Sequence, residues 1–98
     1  MITTNEYVTI LERYGIEVRH GTHGVIENVM VCFFQENDGY VILWDDIRYD
    51  KEGEFTNFAN TCDLYEEVEG FEKAVNELVK KYKTLKIQQK LEKLKKDF

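Results

Sequence analysis

The residues with the widest chemical repertoire in this chain are two histidines and two cysteines. His20 and His23 flank a glycine-containing turn, His20-Gly21-Thr22-His23-Gly24. Two imidazoles at that spacing could hold zinc if Cys62 or Asp63 completed the set, because zinc takes four nitrogen, sulfur or oxygen ligands. No second pair stands at ligand spacing, and turn histidines also serve as solvated or hydrogen-bonded residues. The reading is no metal site and no cofactor. A Cys–His nucleophile would need a partly exposed thiol beside an imidazole. Cys32 lies inside the apolar run Val29 to Phe34 and reads as a buried structural thiol, whereas Cys62 lies in a loop and is the more reactive candidate. Neither sits in a CxxC spacing, so both read as free thiols of a reducing compartment. No nucleophile-elbow or oxyanion-type glycine pattern accompanies them, and the expectation is a protein that is not an enzyme. A small metal protein or enzyme using His20, His23 and Cys62 stays as a third alternative.

The carboxylates offer a surface rather than a catalytic pair. Asp45 and Asp46 end one strand candidate, Asp50, Glu52 and Glu54 populate the next hairpin, and Asp63, Glu66, Glu67 and Glu69 follow. The EF-hand spacing that calcium would need is absent. If Glu52 and Glu54 share one face of a strand, they stand about 6.8 Å apart. A row of that kind could occupy a lysine- and arginine-lined groove built for phosphates. Trp44 and Tyr49 lie among these acids and are the residue types that anchor interfaces. The same acids also read as a solvated surface that keeps the chain soluble.

Charge is split along the chain. Residues 1–70 hold 15 acids and 4 bases, and residues 71–98 hold 4 acids and 9 bases. An acidic body argues against direct phosphate binding, since nucleic-acid affinity rests on Lys and Arg. With 98 residues, 43% of them hydrophobic, the chain makes one folded domain and lies far from the disordered class. Met1-Ile2-Thr3-Thr4 lacks the basic start and apolar run of a signal peptide, and no apolar stretch approaches bilayer length, so the expectation is a cytoplasmic protein with no membrane contact. The absence of Pro and the scarcity of Ala beside abundant Lys, Glu, Asn and Ile hint at an AT-rich genome.

The elements that must position these residues are legible in turn. Thr3-Thr4-Asn5-Glu6 fits a capping box, with Ile2 and Tyr7 as a hydrophobic staple, and Gly15 stops the helix. Ile16 to His20 alternates as a strand, and Val25 to Gln35 reads as one long strand. Its continuous apolar run predicts cover on both faces, or on one face and by a partner. Glu36-Asn37-Asp38-Gly39 turns the chain into Tyr40 to Tyr49, and Asp50-Lys51-Glu52-Gly53 turns it again into Glu54 to Phe58. Asn60 to Gly70 fits a helix start, an acidic loop or an edge strand. The fold class is α+β: an N-terminal helix, an antiparallel meander of about four strands, and a long C-terminal helix packed on one sheet face.

That last helix, Phe71 to Phe98, carries two stripes. Phe71, Val75, Leu78, Tyr82 and Leu85 fall within roughly 40° of one direction, whereas Ile87, Leu91, Leu94 and Phe98 point to about 140–200° on the same wheel. The first half matches the width of four strands and the second overshoots it, which divides the chain into a domain over 1–86 and an amphipathic extension over 87–98. The extension could fold back near Thr84, pair with a second copy as a homodimer, dock on another protein, or lie on an anionic surface through its lysines.

In length, acidity, composition and helix–sheet–helix order, the chain resembles the small acidic proteins that phages and mobile elements encode to block a host machine, anti-CRISPR proteins among them. The resemblance rests on no motif and transfers no residue. It implies a non-enzymatic inhibitor or regulator of a nucleic-acid-binding host protein; the acidic face read from the residues themselves, Trp44, Asp45, Asp46, Tyr49, Asp50, Glu52 and Glu54, would then act by acidic-surface competition. The alternative is a structural accessory subunit assembling through Ile87, Leu91, Leu94 and Phe98.

Overall fold

Helix α1 (Thr4–Arg13) forms where the capping box places it. Thr3 is the N-cap: its hydroxyl accepts from the Glu6 amide at 3.2 Å, and the Glu6 carboxylate accepts from the Thr3 amide at 2.9 Å. The helix ends in a Schellman turn. Gly15, at φ +76°, donates to the Glu12 carbonyl, and the Ile16 amide reaches Leu11 O at 2.9 Å. Ile16 and Leu11 are both buried, which supplies the apolar contact that usually closes this turn. These details come from a computed structural model that describes residues 1–58, 60 and 62–96.

Seven strands follow before the long helix: β1 (Glu17–Arg19), β2 (His23–Ile26), β3 (Val29–Gln35), β4 (Tyr40–Leu43), β5 (Ile47–Tyr49), β6 (Phe55–Asn57) and β7 (Asp63–Tyr65). Five form one antiparallel sheet in the order β1-β2-β3-β4-β7, and β5 pairs with β6 as a separate ribbon. The α+β order of helix, antiparallel sheet and long helix holds, with five strands plus two in place of about four.

Three differences account for the count, the first being that Tyr40 to Tyr49 is two strands: the chain leaves the sheet after Leu43 and re-enters pairing at Ile47 as part of the ribbon. Val25 to Gln35 is two strands, because Glu27 and Asn28 take φ of +48° and +68° and make a two-residue turn between Ile26 and Val29. Such hairpin turns need positive φ at both central residues, which Asn accepts readily and Glu does not. Tertiary contacts hold Glu27 there: its carboxylate accepts from the hydroxyls of Tyr49 and Tyr82, the latter at 2.7 Å. The third difference is β7, which pairs with β4 in the register Val41–Tyr65, Ile42–Leu64 and Leu43–Asp63. The stretch after Asn60 is thus an edge strand first and a helix from Val68 onward.

Directly opposed residues in an antiparallel pair point to the same face. Phe34 and Val41, and Cys32 and Leu43, therefore line the helix side of the sheet, and all four are buried. A bulge opposite Gly24 and Val25 inserts Val31 beside Cys32, and both are fully buried. Tyr7 of α1 stacks on Phe34 at 4.9 Å and on Phe71 at 5.6 Å, joining both helices to the sheet through one ring. Helix α2 (Val68–Lys96) buries Phe71, Val75 and Leu78 and half-buries Tyr82 and Leu85, which is the expected inner stripe. Each fully buried side chain of that kind contributes about 1.5–3 kcal/mol. The helix continues unbroken through Thr84, whose hydroxyl donates to Lys80 O at 3.1 Å, and the molecule measures 52 Å along its longest axis.

Candidate functional site

The sequence-level chemistry is not gathered in one place. His20 and His23 meet edge-on at 5.8 Å, but His23 Nδ1 lies 2.9 Å from the Thr22 hydroxyl and its ring packs on Phe33. Among the described residues no three histidine, cysteine or acidic side chains converge on a point where a metal could sit. Both cysteines are free. Cys62 is exposed, and Cys32 is fully buried, where desolvation pushes its thiol up to about 11 despite a contact with the Tyr7 hydroxyl at 3.4 Å. Apart from the Tyr7 hydroxyl and the Cys32 thiol, no polar or charged side chain among the described residues is fully buried.

A cavity of about 550 Å³ lies between β4, β7 and α2. Leu43, Tyr65, Ala74 and Leu78 form its apolar part, and Asp45, Lys73, Glu77 and Lys81 contribute charge. Lys81 Nζ is already committed to Asp45 O at 2.8 Å. Nothing there pairs a nucleophile with a base.

The acidic stretch lies along the β5–β6 ribbon and its approach, and its residues divide into separate jobs. Asp50 builds the turn: one carboxylate oxygen accepts from the amides of Glu52 at 3.0 Å and Glu54 at 2.9 Å. Glu52 and Glu54 therefore stand in the turn before β6, and the expected carboxylate row along one strand face does not form. Asp46 pairs with Arg48 at 3.1 Å, and the Arg48 guanidinium covers the Phe58 ring at 4.1 Å. Half-buried Trp44 accepts from Asn57 Nδ2 through its carbonyl, and Tyr49 is tied to Glu27. Asp45, Glu52 and Glu54 remain exposed.

Three ion pairs occur among the described residues: Arg13–Glu72, Arg19–Glu17 and Arg48–Asp46. None uses Asp45, Glu52 or Glu54, and none uses a lysine. Among the described residues, the exposed acids of the ribbon and the lysines of α2 thus make no contact ion pairs.

The outer half of α2 presents its second stripe to solvent. Ile87, Leu91 and Leu94 are 60%, 53% and 55% exposed, while Phe98 lies outside the described residues. The opposite, polar side of the same segment touches the ribbon, with Gln89 Nε2 donating to Gly53 O at 2.9 Å. A second partly open surface lies on the sheet, and its residues were not singled out from the sequence. Phe33, Ile42 and Leu64 are paired across β3, β4 and β7 on the face away from both helices, with Leu64 53% exposed. The signal for it was the unbroken apolar run of β3, which calls for cover on both faces.

No protein-family model, no curated protein and no solved structure matches this chain. No helix among the described residues is long and apolar enough to cross a membrane.

Proposed function

We propose that this protein is a non-enzymatic, cytoplasmic binding module that inhibits or regulates a nucleic-acid-binding protein by competing for its lysine- and arginine-lined groove, as phage-encoded and other mobile-element inhibitors do. The observation that supports this reading is the set of exposed carboxylates around the β5–β6 ribbon, Asp45, Glu52 and Glu54, none of which forms an ion pair among the described residues. The ribbon is held in shape by the Asp50 turn and by the Tyr49–Glu27 hydrogen bond, so little ordering cost falls on binding. Trp44 and Tyr49 flank the charges and are the side chains suited to anchor such a contact. Charge steers the encounter and sets specificity, and the contact should weaken with salt.

Capture of partners from a bacterial lysate by the immobilised protein, followed by elution with rising salt, tests the proposal. The triple variant Asp45→Lys, Glu52→Lys, Glu54→Lys keeps Asp50 and hence the turn. It should lose the captured nucleic-acid-binding protein, and equal capture by both forms would reject the acidic-competition mechanism.

A further inference from the structure

Two apolar surfaces are left partly open among the described residues, one set among lysines and the other among acids, with Leu64 exposed and Phe33 and Ile42 half-buried on the second. The α2 stripe of Ile87, Leu91 and Leu94 is carried by a segment in which Lys86, Lys90, Lys93 and Lys95 form no ion pair among the described residues. The row Phe33, Ile42 and Leu64 lies on a sheet whose strand ends carry exposed acids, with Glu36 and Asp38 in the turn before β4 and Glu66 after β7. One chain cannot bring the two together. Helix α2 packs on the other side of the sheet and runs on without a break, so its outer half has no path around to the open face.

The dimensions agree. Ile87 to Leu94 covers about 10 Å of helix at 1.5 Å per residue, and a row crossing three strands covers about 10 Å at 4.8 Å per strand. We propose that the α2 stripe of one copy docks on the open sheet face of a second copy, its lysines meeting the acids at the strand ends. The contact is heterologous: each copy gives a helix and receives another. Stripe-on-stripe pairing would instead set the Lys83, Lys90 and Lys95 positions of two copies side by side. A heterologous contact leaves one free stripe and one free face at the ends, so assembly grows with concentration instead of stopping at a symmetric pair. Each patch is small compared with a standard interface, so single contacts are weak and salt-sensitive.

Sedimentation of the full chain from about 10 µM to about 1 mM, at low and high salt, reads this directly. The average mass should rise well beyond a dimer with concentration and fall with salt. Leu91→Glu blocks the stripe and Leu64→Lys blocks the face, and both residues are exposed enough for the fold to accept the change. Each variant alone should stay monomeric, and an equal mixture should form one-to-one pairs that grow no further. Leu94→Glu should behave as Leu91→Glu does. A monomer at every concentration, a mixture that fails to pair, or a dimer that Leu91→Glu abolishes and Leu64→Lys leaves intact would each overturn the proposal. Glu52 and Glu54 are untouched in these variants, so capture of a basic partner through the ribbon is scored separately.

Discussion

The hydroxyl of Tyr7 lies 3.4 Å from the thiol of Cys32, with both side chains fully buried between α1 and the sheet. The same hydroxyl donates to Thr22 O at 2.6 Å, so a polar atom deep under α1 is satisfied by the turn that leads into β2. Burial is the main reason that the Tyr7 hydroxyl is held far above its usual range, and the Cys32 contact adds to it. The pair is structural: both groups stay neutral at any ordinary pH. Tyr7→Phe keeps both ring stacks and removes only the donor. Thr22 O keeps the Phe34 amide at 2.9 Å, so the change should cost about 1 kcal/mol, the worth of one hydrogen bond, read as a lower denaturation midpoint at unchanged slope.

Gly24 is what allows that arrangement. A β-carbon there would sit 2.3 Å from Cys32 Sγ and 2.9 Å from Leu11 Cδ1. Gly24→Ala should therefore destabilise by about 1–3 kcal/mol through overpacking. Cys32→Ala removes the nearer atom, so the double variant should recover part of the loss relative to the sum of the single changes. A double-mutant cycle measures it, and strict additivity would show that the clash lies elsewhere.

Glu27 ties three elements together, holding Tyr49 of β5 and Tyr82 of α2 from the β2–β3 turn. Partial burial works against its charge, but the two hydroxyls and Lys86 outweigh it and hold the carboxyl below its ordinary 4.5. A depressed folded-state value stabilises the fold above about 4.5 and loses that contribution as pH falls through the depressed value. Glu27→Gln lacks the term. It should be less stable than the parent by about 1 kcal/mol at neutral pH, discounted for its exposure, and the gap should close on acidification below pH 4.5. Denaturation curves at a series of pH values check both the sign and the window.

Features that depend on a few neighbouring residues were legible in the sequence. The Thr3–Glu6 capping box, the Gly15 stop and the two stripes of the last helix need only local geometry, and each stands as read. What the sequence could not reveal depends on partners far along the chain. The Glu27–Asn28 turn has no strong signal because a tyrosine from β5 and another from α2 stabilise a glutamate at positive φ. The three residues of β7 carry too little pattern to announce a pairing with β4. The Glu52–Glu54 row failed because the Asp50 side chain captures both amides and makes a turn of the segment. The open row of Phe33, Ile42 and Leu64 becomes visible only once β7 fixes the register.

Truncation after Lys86 separates the folded body from the extension. The segment lost carries Ile87, Leu91 and Leu94, which bury little against their own chain, and the Gln89–Gly53 hydrogen bond, which does tie it to the ribbon. The inner stripe ends at Leu85 and is kept whole. The expected cost is about 1 kcal/mol or less, the worth of one exposed hydrogen bond and some fraying. Chemical denaturation of the full and truncated chains reads it. A loss of several kcal/mol would place residues 87–96 in the folding unit itself. A small loss leaves an extension whose apolar stripe contributes almost nothing to its own domain, which is the behaviour expected of a surface kept for contact with another chain.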